Sequence, residues 1–211
     1  METVPGGQLH SGRMITIVDY GSGNLRSVQK AFERLGAEAL VTSDPETVAA
    51  ADRVVLPGVG AFGDAMRALH DRHLVEPLVA HIRADKPFFG ICMGLQLLFE
   101  AGREGGRHEG LGVLAGEVVR FDLPERFKVP HMGWNTVRWC DGRGPRDADG
   151  WYYFVHSYRA LPKDAAVVAA VTDYGGEFCS AVARGRLFAT QFHPEKSQAT
   201  GLRLLGAFLD A

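Results

Sequence analysis

At 211 residues, with 46% apolar and 23% charged side chains, the chain is long enough for one sizeable core and has an ordinary globular composition. Its 23 basic and 25 acidic residues leave a formal charge of −2, which excludes the basic surplus of a nucleic-acid or anionic-membrane binder. Three cysteines, Cys92, Cys140 and Cys179, form no C-x-x-C pair and no even framework, so a disulfide scaffold and a zinc site are both disfavoured and a reducing cytoplasm fits best.

The first 13 residues, METVPGGQLHSGR, have neither a signal-peptide apolar region nor an Arg-rich transit pattern. They read as a flexible extension, with the folded domain over 14–211. No apolar run approaches the roughly 20 residues of a membrane span. ITIVDY is a buried β-branched strand ending at the turn GSGN. Asn24 then caps a helix with Leu25, Val28, Phe32 and Leu35 at helical spacing and Gly36 at its close. A strand over 37–42, a short helix capped by Ser43 or Asp44, and the strand RVVLPG follow. Helical spacing over 62–69 and 74–84 leads into KPFFGI, a fourth strand, and a further helix is expected over 93–100. Strand and helix alternating at these lengths predict a doubly wound, mostly parallel sheet covered on both faces, of the flavodoxin-like kind. Beyond residue 113 the segments VLAGEVVRF, TVRW, WYYFVHSY, AVVAAVT, FCSAVARG and RLFATQF are short and strand-like, which predicts an antiparallel or mixed extension closed by a helix over 201–209.

Functional groups on such a sheet gather at the carboxyl ends of strands. G-I-C-M-G (90–94) is the thiol counterpart of a G-x-S-x-G elbow: small flanking residues permit a sharp turn that exposes Cys92 beside a helix N-terminus, which favours thiolate, with the Met93 N–H available to an oxyanion. Read alone, Cys92 is equally a small core residue. In QFHPEKS, His193 and Glu195 lie two apart, so in extended chain a carboxylate can hold one imidazole nitrogen while the other faces a thiol; read alone, His193 is more often a surface or core residue, and the upstream thiol elbow is what strengthens the pairing. In LPGVGAF, Gly58 lets the Val59 N–H turn outward as a second oxyanion donor, although read alone the stretch is an ordinary β-to-α turn. Eight histidines are scattered with no metal-ligand spacing and no cofactor motif. His10, His70, His73, His81 and His108 fall in expected surface segments, and His131 and His156 in motifs where structural hydrogen bonding is expected.

In combination GICMGLQLLF, PGVGAFGDAM and FHPEKS resemble the class I (triad) glutamine amidotransferases. VDYGSGNL, KVPHMGWN and YYFVHSYRA are similar to the glutaminase subunits of imidazole glycerol phosphate synthase, over about residue 14 to the C-terminus. The resemblance implies that Cys92 attacks the amide of L-glutamine, His193 shuttles the proton and Glu195 orients His193. It implies that Gln96 and Glu104 hold the substrate, with the backbone at Ser157 and Tyr158 receiving its carboxylate. It also implies a partner, a (β/α)₈ cyclase subunit forming a heterodimer, near Asn24, Trp134 and Lys196. The bland readings are a helix cap for Asn24 and a solvated charge for Lys196. The cyclase would use the ammonia to make imidazole glycerol phosphate and aminoimidazole carboxamide ribotide. The rival readings are a sister amidotransferase of another pathway, against which KVPHMGWN and Met93 stand, a cysteine hydrolase of similar fold, and a catalytically silent subunit.

Overall fold

The computed structural model describes residues 14–140, 142–144 and 148–211; residues 1–13, expected to be an extension, lie outside them. The elements run β1 (Met14–Val18), α1 (Leu25–Arg34), β2 (Glu38–Thr42), α2 (Pro45–Ala50), β3 (Val54–Gly58), α3 (Phe62–Asp71), α4 (Val75–Arg83), β4 (Phe88–Cys92) and α5 (Met93–Gln96). Then come β5 (Phe99–Gly102), β6 (His108–Glu109), β7 (Leu114–Arg120), β8 (His131–Trp139), β9 (Gly150–His156), β10 (Tyr158–Pro162), β11 (Val168–Asp173), β12 (Glu177–Arg184), β13 (Leu187–Thr190) and α6 (Gln198–Leu209). As expected, Asn24 caps α1 by accepting from the Ser27 N–H at 3.4 Å, and Asp44 caps α2 by accepting from the Thr47 N–H at 2.9 Å.

Strands β2, β1, β3, β4 and β13 lie side by side and parallel. The central β3 and β4 are buried throughout, because apolar side chains leave both of their faces. Val54, Leu56 and Phe88 pack with α2 to α5 on one side, and Val55, Phe89 and Ile91 with α1 and α6 on the other. Beyond β13 the sheet turns antiparallel through β12, β10 and β7, with β5 and β6 at its far end; β11 pairs with β12 and carries β8 and β9. The doubly wound core and mixed extension expected from the alternation of elements are both present.

Several boundaries depart from expectation. The helix over 93–100 stops at Gln96, and Phe99 begins β5. Leu95, Leu97, Leu98 and Phe99 are all fully buried, so this run has no polar face to mark a helical period. The carbonyls of Leu97 and Leu98 accept instead from the N–H groups of Leu111 and Val113, each at 2.8–2.9 Å. Strand β8 starts five residues before the expected TVRW because its alternation is inverted, with Met132 and Trp134 facing outward. WYYFVHSY breaks at Ser157 into two strands. His81 is buried rather than on the surface, on the inner side of α4, with its Nε2 2.9 Å from the Pro87 carbonyl oxygen.

One close approach shapes the end of β4. A Cβ on Gly94 would lie 1.8 Å from the Leu56 carbonyl oxygen, and one on Gly90 would lie 2.7 Å from the Gly94 oxygen. The first turn of α5 therefore rests directly on the backbone of β3. We expect Gly94→Ala to destabilise the fold by about 3 kcal/mol, whereas Gly206→Ala, facing only Leu35 Cδ2 at 4.0 Å within α6, should stabilise it by about 0.5–1 kcal/mol; urea unfolding of both variants checks the pair.

Candidate active site

Register brings the three motifs together. Gly58 pairs with Cys92 across β3 and β4, and Thr190 with Ile91 across β13 and β4, so the carboxyl ends of three parallel strands converge. Cys92 sits at φ 55°, ψ −102°, a backbone conformation that costs a non-glycine residue about 1–3 kcal/mol and survives only because the surrounding packing over-determines it. Directly after it, Met93 opens α5, so its N–H is one of the unpaired donors of a helix start.

His193 follows the end of β13 and is tied to β9, its N–H donating to the Tyr153 carbonyl at 2.9 Å. Its Nδ1 lies 2.8 Å from Glu195 Oε1, with both side chains almost wholly buried. The two meet through a 3₁₀ turn over Pro194–Lys196, not through the extended chain expected from their spacing. Ser197 locks the turn: its hydroxyl donates to the His193 carbonyl at 2.6 Å and accepts from the Tyr153 N–H at 3.0 Å. Burial alone would lower the His193 pKa, but the neighbouring Cys92 sulfur and the Glu195 carboxylate outweigh it and raise it. His193 Nε2 finds no closed hydrogen bond among the described residues, so it is open to a substrate or to the sulfur.

A cavity of about 310 Å³ opens over this centre, lined by Val59, Gly60, Cys92, Met93, Gln96, Glu104, Pro130 and the 155–158 segment. Gln96 is buried, and its Nε2 donates to the Tyr158 carbonyl at 3.2 Å and to Gln191 Oε1 at 3.0 Å, which leaves its oxygen for a ligand. Glu104 lines the pocket and braces the start of α3 through Oε2, which accepts the Phe62 N–H at 2.8 Å. Ser157 and Tyr158 stand at the break between β9 and β10. Gly58 is buried and not part of the lining, and Val59 is exposed. Asn24, Trp134 and Lys196 lie outside the cavity; Lys196 Nζ sits 5.9 Å over the Tyr153 ring, which packs edge-on to Trp134.

Three residues at this centre escaped the sequence reading. Gln191 is fully buried with Nε2 3.6 Å from the Cys92 sulfur. Ser22 donates its hydroxyl to the Val59 carbonyl at 2.7 Å, bracing the strand end from the loop before α1. Tyr20 is buried with its hydroxyl against Gly58, and burial first, then the neighbouring Cys92, raises its pKa, so it stays a neutral phenol. The one available signal was the period of two that sets Gln191 and His193 on the side opposite Phe192.

His156, on the pocket wall, and His131 form a directional pair. His156 Nδ1 lies 2.8 Å from the Tyr158 carbonyl oxygen, which can only accept, so Nδ1 carries the proton and Nε2 is an acceptor. His131 Nδ1, 3.2 Å away, must then donate, and His131 Nε2 accepts from Asn135 Nδ2 at 3.3 Å. Burial lowers their pKa to about 3 for His156 and about 4 for His131. No cluster of three or more His, Cys, Asp or Glu able to hold a metal occurs among the described residues.

The family model described as "Glutamine amidotransferase class-I" matches residues 16–210. The chain belongs to the class I glutamine amidotransferases. Within that family it is 60% identical to imidazole glycerol phosphate synthase subunit HisH of Rhodopirellula baltica, over 94% of this chain and 98% of that one. It is 54% identical to the HisH subunit of Syntrophotalea carbinolica, over 93% and 100% of the two chains. Solved structures share the fold at low identity: a glutamine amidotransferase at TM-score 0.72 and 20% identity, covering 93% of this chain and 99% of that one, and PurLQS from Thermotoga maritima at 0.73 and 18%, covering 94% and 98%.

The buried histidines set a pH dependence of stability. His131 and His156 titrate near 6.5 when unfolded and at about 4 and 3 when folded, so their contribution is complete above pH 6.5 and is lost as pH falls through that window. His193, shifted the other way, contributes below pH 6.5 and loses that contribution as pH rises toward its raised value. We expect the thermal midpoint to fall between pH 6.5 and 4, and His131→Asn to flatten that acid limb.

Proposed function

We propose that residues 14–211 form a glutaminase domain that hydrolyses L-glutamine through Cys92, His193 and Glu195 and passes the ammonia to a cyclase subunit. The observation that carries this reading is a thiol on a strained elbow beside a buried His–Glu pair, at the floor of a cavity sized for a small ligand. The Cys92 sulfur attacks the side-chain amide carbon, and the oxyanion takes the N–H groups of Met93 and Val59, with Gly58 giving the strand freedom to present the latter. His193 delivers a proton to the leaving nitrogen, ammonia departs and a glutamyl thioester remains. Water then attacks, giving its proton to His193, and glutamate leaves with the thiolate restored. Glu195 keeps the imidazole oriented and stabilises its cationic form.

Gln96 and Glu104 hold the substrate in this scheme, the Glu104 carboxylate against the α-ammonium, while the backbone at Ser157 and Tyr158 receives the α-carboxylate. The high identity to HisH subunits supports imidazole glycerol phosphate synthesis as the pathway, with a (β/α)₈ cyclase as partner. An exposed apolar face beside the pocket supports a partner of this kind. The pairing of β8 with β9 puts Met132, Trp134, Trp151, Tyr153 and Val155 on one side, with Met132 62%, Trp134 44% and Trp151 59% exposed. Lys196 rests on this face, and Asn24 follows the loop whose Ser22 grips Val59, so a partner seated here would act on the oxyanion strand.

The test is glutamate release by the chain alone and with a histidine-pathway cyclase subunit and its ligand. We expect stimulation by the cyclase and a loss of at least about a thousandfold in Cys92→Ala. High activity alone would favour a sister amidotransferase, and none under any condition a silent subunit. Because the carboxylate raises the His193 pKa, Glu195→Gln should move the alkaline limb of the pH–rate profile to lower pH; an unmoved limb would remove Glu195 from the triad.

A further inference from the structure

We propose that Gln191 is a further catalytic residue, whose side-chain N–H donates to the Cys92 sulfur and favours its thiolate. The inference rests on the reading of Cys92 as the nucleophile and goes beyond the three residues assigned to it.

The orientation of the Gln191 amide follows from its neighbours. The Tyr158 carbonyl oxygen can only accept, so Gln96 must present its NH₂ group there. The same nitrogen lies 3.0 Å from the Gln191 side chain, which must therefore present its oxygen. Gln191 Nε2 is then turned to the sulfur, 3.6 Å away, inside a fully buried site. A neutral thiol is a weak acceptor, whereas a thiolate makes a charge-assisted bond about twice as strong as a neutral one. The buried NH₂ is thus well satisfied only when Cys92 is ionised.

The donor also complements His193. It carries no charge, so it does not compete for the proton that the imidazole must pass to the leaving nitrogen. It stays in place when His193 becomes neutral, and so still stabilises the sulfur as the thioester is hydrolysed. Strand register fixes its position: Thr190 pairs with Ile91, which sets Gln191 beside Cys92, while Phe192 turns away to pack, tilted, on the Tyr152 ring with centroids 4.1 Å apart.

Gln191 could instead be only a brace joining the end of β13 to α5 through Gln96. A brace does not sense the ionisation of the sulfur, and that difference is measurable. The experiment is the rate of Cys92 alkylation by iodoacetamide against pH in the full chain and in Gln191→Met, which keeps the shape and removes the donor. The expected result is an upward shift of the profile midpoint by about one pH unit, and so about tenfold slower alkylation at neutral pH. In the unsubstituted protein the Gln191 side-chain NH₂ resonances should shift through the same midpoint, and should stay still in Cys92→Ala; this arm decides the matter if Gln191→Met does not fold. An unmoved midpoint in folded Gln191→Met, or NH₂ resonances indifferent to the thiol, overturns the proposal. The nucleophile reading fails separately, by alkylation of Cys92 that glutamine does not slow.

Discussion

Most of the site depends on the contact between Gly94 and the Leu56 carbonyl, where α5 is laid on the backbone of β3. That contact leaves no room for a side chain, forces the chain to turn sharply after β4, and holds Cys92 at a positive φ. The turn lifts the thiol out of the sheet at the point where β3 and β13 also end. The cost of the strained residue is small beside the burial of Phe88, Phe89, Leu95, Leu97 and Leu98 around it, each fully removed from water and each worth about 1.5–3 kcal/mol. The hydrophobic core therefore maintains a geometry that local backbone preference opposes.

Around the elbow, burial acts on histidines in two opposite ways. His131 and His156 hydrogen-bond to each other, a carbonyl and an amide among aromatic rings, with no carboxylate to offset burial, so desolvation wins and both are held neutral. Their protons are then aligned in one direction, ending on the Tyr158 carbonyl at the pocket wall. His193 is equally buried but has the Cys92 sulfur on one side and the Glu195 carboxylate on the other, and charge outweighs desolvation. Tyr158 joins the two regions, since its carbonyl also accepts from Gln96, which leads through Gln191 back to the sulfur. One continuous set of polar contacts thus links the β8–β9 pair to the reactive centre.

Residues whose neighbours are close in sequence were legible; those whose neighbours arrive by strand pairing were not. Cys92 stood out because its two glycines flank it, and His193 with Glu195 because they are two apart, although a 3₁₀ turn rather than a strand joins them. The parallel core was readable from alternating apolar runs and caps at Asn24 and Asp44. Gln191, Ser22 and Tyr20 gave no such signal, because their contacts to Cys92, Val59 and Gly58 span dozens of residues and exist only once β1, β3, β4 and β13 are aligned. The run from Leu95 to Phe99 was misread as helix because a segment buried on every side has no period. Strand β8 was shortened because its large apolar residues Met132 and Trp134 face outward, the reverse of the usual alternation.

The central claim is that the elbow thiol alone carries the substrate's acyl group. The most direct measurement is mass spectrometry of the acid-quenched protein during glutamine turnover, with peptide mapping of the adduct. The account predicts a glutamyl adduct on Cys92, with Cys140 and Cys179 unmodified. Turnover with no adduct in the rapid-quench window, or an adduct on either other cysteine, would contradict it.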